Sequence, residues 1–231
     1  MRNVADRLVQ SAFVLLTTAL LGLAISELRT SIRSVDVSIV AERIEAGRGV
    51  SPPLAEEMSK DALQLAKSGY CRSDVVAAGL TMVLFDLDQH SPQHDYDAWL
   101  SSAAQARDYL VHALRCMPAN SNIWLRMAAV QSTIAEDPQE IASLMAQSAR
   151  FSPAEETGLL ARFNFWNSYT LATLKAATPA LSGDIATLLE FGDRCRVNAA
   201  LAHVGPQLKP YVDDIWSTLG TESTAKFSKR C

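Results

Sequence analysis

ALRCMPANSNIWLRMA (residues 113–128) and SARFSPAEETGLLARF (residues 148–163) fall into register when one is slid 35 positions along the other. The shift pairs Ala113 with Ser148, Arg115 with Arg150, Pro118 with Pro153 and Leu125 with Leu160. In each string a helical pattern with small residues stops at a proline, and a second helical pattern starts a few residues later. A helical hairpin cannot cover its own apolar face, so a second hairpin following at this distance is read as stacking on the first. Ala113, Ala128, Ala129, Ala142 and Ala149 are the small positions that let such helices approach closely.

The same pattern extends in both directions. Upstream, Tyr96 to Met117 reads as one amphipathic helix, preceded by the polar loop LDQHSPQHD around Pro92. Val75 to Asp86 reads as another, capped by Ser73 or Asp74. Leu54, Met58, Ala62, Leu65 and Ala66 recur at helical spacing behind Pro52 and Pro53, which suit a first helical turn. Downstream, Thr178-Pro179 opens a helix, Gly205-Pro206 interrupts the next, and no region reads as rich in strands. The expected fold is all-α. Residues 51–231 form a tetratricopeptide-like body, with its clearest repeats at 103–136 and 138–171, since a tetratricopeptide unit is about 34 residues long.

Residues 1–50 are expected to form an anchor and its helical extension. No charged side chain occurs from Leu8 to Ser26, and nineteen helical residues span roughly 28 Å, close to the ~30 Å apolar core of a bilayer. A cleaved secretory signal competes with this reading, because Arg2 and Arg7 make a basic start and Gly22-Leu23-Ala24 is a small-x-small pattern. The continuation favours an anchor. Leu21, Ile25, Leu28, Ile32, Val35 and Ile39 follow at spacings of four and three, which is the seam of a coiled coil, and helical periodicity therefore runs past the exit from the bilayer. The stripe is expected either to join copies of the chain or to pack on its own body. Ala46 to Pro53, rich in glycine and proline, should end this helix.

Composition excludes several function classes. A net charge of -4 and a pI near 5.6 leave no electrostatic basis for nucleic-acid binding. No glycine-rich phosphate loop, G-x-S-x-G or H-E-x-x-H occurs, so no catalytic residue is assigned and the chain is read as a non-enzyme. His90 and His94 flank Pro92 in a loop, while His112 and His203 sit in apolar patterns as packed or capping residues. Asp213 and Asp214 are adjacent and diverge by about 100° on a helix. Neither a cofactor nor a metal is expected.

Two groups remain as candidate functional residues. Trp99, Trp124, Phe151, Phe163, Phe165, Trp166 and Tyr169 concentrate aromatics in the middle of the chain. Most are expected to fill the core, with Phe163, Phe165, Trp166 and Tyr169 as an interaction face if any of them line a surface. The four cysteines, Cys71, Cys116, Cys195 and Cys231, form no C-x-x-C pair and allow three full disulfide pairings. In an oxidising compartment Cys71 with Cys116 is the favoured pair, each lying near a helix end before a turn. Four unpaired thiols are the alternative.

The N-terminal apolar helix, ALRCMPANSNIWLRMA, SARFSPAEE and ARFNFW together resemble a group of small membrane-anchored tetratricopeptide-like proteins of alphaproteobacterial polysaccharide biosynthesis and export loci. The resemblance covers residues 60 to 190. It implies an accessory role in surface polysaccharide assembly or export, as a scaffold contacting bacterial inner-membrane proteins, while the short N-terminus before one apolar helix is the signal-anchor layout that is expected to place the body in the periplasm. A permanently bound accessory subunit of a larger membrane complex is the other expectation.

Overall fold

The computed structural model describes the backbone of residues 2–219 and the side chains of residues 10–219. The side chains of Leu8 and Val9, and Cys231, lie outside the described residues. Among those described, every regular element is a helix. The chain divides into two compact units, Met1–Gln89 and His90–Cys231.

The first unit holds α1 (Arg2–Glu45), α2 (Pro52–Lys67) and α3 (Ser73–Asp88). Gly47 and Gly69 end α1 and α2 with φ of 67° and 75°, a region in which a β-carbon is strained. Prolines begin α2 as expected. Ser73 and Asp74 lie inside α3 instead of capping it; Arg72 is the residue before the helix and makes no side-chain cap. Asp74, in the first turn, accepts from Arg72 Nε at 2.7 Å. α3 packs on both α1 and α2. Val37, Val40 and Ala41 of α1, Ala55, Met58 and Ala62 of α2, and Val76, Leu80 and Val83 of α3 are buried. The first unit therefore reaches back past residue 50 and takes the end of α1 into its core.

The second unit contains α4 (Tyr96–Cys116), α5 (Ser121–Ile134), α6 (Pro138–Phe151), α7 (Glu156–Trp166), α8 (Leu171–Ala176), α9 (Thr178–Phe191), α10 (Arg194–Leu201) and α11 (Lys209–Thr218). Side-chain oxygens of Asp95, Asn120, Asp137, Glu155 and Asp193 accept from the first free backbone N–H groups of α4, α5, α6, α7 and α10. The two strings quoted above contain the same turn. Met117 and Ser152 follow α4 and α6 at φ, ψ of -135°, 64° and -149°, 67°, and Asn120 and Glu155 precede the next helices at -84°, 104° and -77°, 116°.

Packing then separates the two copies of the turn. α5 lies between α4 and α6, whereas α6 continues onto α8 and α9, and α7 packs chiefly on α9. The shared core includes Leu125, Ile141, Met145, Phe163, Trp166, Leu174, Leu181, Ile185, Leu188 and Val212.

Candidate functional site

The largest exposed apolar surface is on α1. From residue 10 to residue 45 this helix is long and apolar enough to cross a membrane, and its most apolar window is wholly uncovered. Thr17 and Thr18 hydroxyls donate to the carbonyls of Phe13 and Val14, so these polar groups are satisfied within the helix. All six stripe residues, Leu21, Ile25, Leu28, Ile32, Val35 and Ile39, are between 44% and 62% exposed. The expectation that they pack on the chain's own body does not hold. A different face, Ser34, Val37, Val40 and Ala41, is the buried one.

Just past the apolar segment, the α2–α3 turn is fastened to α1. The Tyr70 hydroxyl donates to Glu27 Oε1 at 2.7 Å, and Arg72 Nη1 donates to the same oxygen at 2.9 Å and to Ser31 Oγ at 2.8 Å. The Tyr70 hydrogen bond, then that of Arg72, holds the Glu27 carboxyl below its ordinary range, and the Glu27 bond in turn raises Tyr70. Higher on the same helix Thr81 donates to Glu45 Oε1 at 3.0 Å.

Of the four aromatics expected as an interaction face, Phe163, Trp166 and Tyr169 are buried in the second unit's core and Phe165 is partly covered, stacking on Tyr169 with ring centroids 6.4 Å apart. They form no exposed face. Burial also pushes the Tyr169 phenol up. Beside Phe163 and Trp166 lies a buried pair, Arg162 and Asp184, that sequence reading does not single out. Arg162 and Asp184 are 0% and 3% exposed and joined by two parallel bonds, Nε to Oδ2 and Nη2 to Oδ1, both 2.8 Å. Trp166 Nε1 donates to Asp184 Oδ2 at 2.9 Å, and Arg162 Nη2 donates to the Ser152 carbonyl at 3.1 Å. One buried guanidinium thus ties the end of α6, α7 and α9 together and draws the aromatic side of α7 inward. A signal was present: Asp184 is a lone acid in phase with Leu181, Ile185 and Leu188 along an apolar face.

Arg162 Nη1 has no hydrogen-bond partner. It lies toward Gly158, where a β-carbon would stand 3.5 Å from it and 2.7 Å from Glu155 Oε2. Outside Gly158 a shallow cleft of about 250 Å³ lies between the starts of α5 and α7, edged by Asn120, Asn122, Glu155 and Thr157. Glu155 is held below the ordinary carboxylate range, first by the Gly158 N–H. Glu136 serves a related purpose at α8. Burial would raise its carboxyl, but hydrogen bonds from Thr173 and from the Thr170 side chain and backbone bring it down, and it supplies the cap that Thr170 does not.

Cys71, Cys116 and Cys195 are each held in a disulfide, and no described cysteine is free. Four unpaired thiols are therefore not what the structure contains. Cys116 is the last residue of α4, and its Sγ lies 3.6 Å from His112 Nε2 one turn earlier. His94 sits in the loop before α4, with Nδ1 3.2 Å from Ser91 Oγ. Asn167 closes α7 onto the turn before α11, donating to the His203 carbonyl at 2.9 Å and accepting from the Gly205 N–H at 2.6 Å.

Comparison with protein-family models, with curated proteins and with solved structures finds no match to this chain.

Proposed function

We propose that the protein is a membrane-anchored helical scaffold that presents a helical surface to protein partners outside the cytoplasm of a bacterium. The observation that carries this reading is α1: its first part is uncovered and apolar over a bilayer's thickness, and its last part is built into the core of a helical unit. An anchor continuous with a folded body transmits position, which is what a scaffold requires. The disulfides of Cys71, Cys116 and Cys195 support placement outside the cytoplasm, because such bonds persist in oxidising compartments. Within this reading Cys71 pairs with Cys116, and the helical body is tetratricopeptide-like, as the shared turn after α4 and α6 suggests. The resemblance noted from the sequence directs the proposal toward accessory work in surface polysaccharide assembly or export, contacting an inner-membrane polymerase, ligase or export component.

The test is performed on the full chain in its own membranes. The protein is expected to stay in the pellet after alkaline carbonate and to be digested by protease added to intact spheroplasts. Release by carbonate, or protection until lysis, overturns the anchor or the orientation respectively. Co-purification after detergent extraction then reads the role: other membrane proteins of the polysaccharide apparatus support it, and a stoichiometric, inseparable complex indicates a permanent subunit instead.

A further inference from the structure

The stripe on α1 has a chemical identity as well as an exposure. In a seven-residue frame, Ile25, Ile32 and Ile39 occupy the a positions and Leu21, Leu28 and Val35 the d positions. Branched isoleucine at a with leucine at d is the combination that favours two parallel strands over three or four. All six side chains are exposed, and the residues that α1 commits to its own unit, Ser34, Val37, Val40 and Ala41, fall on its opposite side. At 100° per residue the centres of the two faces are about 170° apart around the helix axis. The core of the first unit and the stripe therefore take different faces of α1, and the α2–α3 turn reaches the edge of the stripe at Ser31, whose hydroxyl accepts from Arg72 Nη1.

We propose that α1 pairs with α1 of a second copy of this chain as a parallel, in-register, two-stranded coiled coil through these six residues. Lipid accounts for the exposure of Leu21 and Ile25, but Leu28, Ile32, Val35 and Ile39 lie beyond the apolar segment, where water is the alternative to a partner. The proposal rests on the anchor reading for its parallel sense: two chains held by the same segment in one bilayer leave it in the same direction and at the same level. Charge does not oppose the pairing. Serine at 31 and 38, the g positions, would face Asp36 and Arg43 at the e positions of the second chain, so no like charges meet across the seam. A helix of a different protein is the rival occupant, and the self-complementary a and d pattern favours the identical helix.

The experiment places single cysteines in the full chain, Ile32→Cys and Val35→Cys on the seam and Arg33→Cys beside it, and oxidises native membranes that contain tagged and untagged copies. Tagged-to-untagged homodimers at 32 and 35, with only background at 33, are expected. Equal cross-linking at all three positions, none at any, or a product containing another protein overturns the proposal. As a second reading, Ile32→Glu with Ile39→Glu should halve the mass of the detergent-extracted particle and leave its helical circular dichroism unchanged, because both residues are exposed; an unchanged mass counts against the dimer. Carbonate extraction of the same membranes reads the anchor separately. A chain that stays in the pellet without seam cross-links overturns the dimer alone, and a chain released from the pellet overturns the anchor and the parallel dimer with it.

Discussion

The turn between α4 and α5 and the turn between α6 and α7 are built alike, yet the helices beyond them find different partners. α5 returns to α4, and α7 goes to α9. The residues that start and stop the helices correspond at a distance of 35: Pro118 with Pro153, and the caps Asn120 with Glu155. Those that face the interior do not. Where α5 has Met127 and Ala128, α7 has Arg162 and Phe163, all four buried. A fully covered alanine admits a neighbouring helix at short range, while a phenylalanine and a guanidinium require room and an anion, which α9 supplies through Asp184. Turn chemistry thus decides where helices begin, and interior side chains decide what they touch.

Exchanging residues between the two copies tests this directly. The largest effect is expected from Asp184→Ala, which strands the Arg162 charge and should cost about 3–5 kcal/mol in chemical denaturation of the second unit. Arg162→Met, which installs the residue of the first copy, together with Asp184→Leu should recover most of that loss. The remainder is the Trp166 indole N–H left without its acceptor. If the double variant is as unstable as the sum of its parts, the pair is not the tie between α7 and α9. Ala128→Phe, the reverse exchange, should overpack α5 and cost about 1–3 kcal/mol, read as a lowered denaturation midpoint; an unchanged midpoint would show that the covered alanine is not what brings α5 close to its neighbours.

Smaller effects concern the caps. Asn120→Ala should cost about 1 kcal/mol. The longer cap at Glu155 needs glycine three residues on, since a β-carbon at Gly158 would meet the capping oxygen at 2.7 Å. Gly158→Ala alone should therefore give little or lose stability, whereas Glu155→Asn with Gly158→Ala should gain up to about 1 kcal/mol from helix propensity. Thermal scans of the three variants decide this.

The smallest effect belongs to the exposed Glu27 carboxylate. Its folded pKa is depressed below the ordinary 4.5, so the fastening of the α2–α3 turn is present above 4.5 and is lost as the pH falls through the lower folded value. Hydrogen exchange at residues 70–72 should quicken in acid, and Tyr70→Phe should weaken that dependence. An exchange rate indifferent to Tyr70→Phe would remove Tyr70 from the fastening.

What could be read beforehand follows the same division. Prolines at 52 and 179 and the glycine break after residue 45 act within one turn of chain, and the helix boundaries there are legible in the sequence, whereas the caps Asp95, Asn120, Asp137, Glu155 and Asp193 are found only in the structure. Ser73 and Asp74 fall inside α3, and the residue before it, Arg72, is held by Glu27 and Ser31 of α1, contacts distant in the chain that no local pattern announces. The aromatics at 163 and 166 do not declare core or surface locally, because α7 is covered by α9, some twenty residues further on, and Tyr169 has Ser132 and Glu136 near its phenol, more than thirty residues back. Arg162 carries no local signal, since an arginine on a helix is ordinarily solvated and only its acid 22 residues on, Asp184, reveals otherwise. The α1 stripe was legible as a pattern, but which face the body would take was settled by α2 and α3.

The unbroken course of α1 from residue 2 to residue 45, fastened at Glu27 and again at Glu45, makes it a ruler. The nineteen residues from Glu27 to Glu45 measure about 28 Å at 1.5 Å per residue. In the proposed anchor arrangement, with residues 8–26 in the bilayer, the Gly47 corner stands at a height of that order above the lipid surface, less any tilt, and a partner proposed to dock near it would have to project from the membrane by a comparable distance.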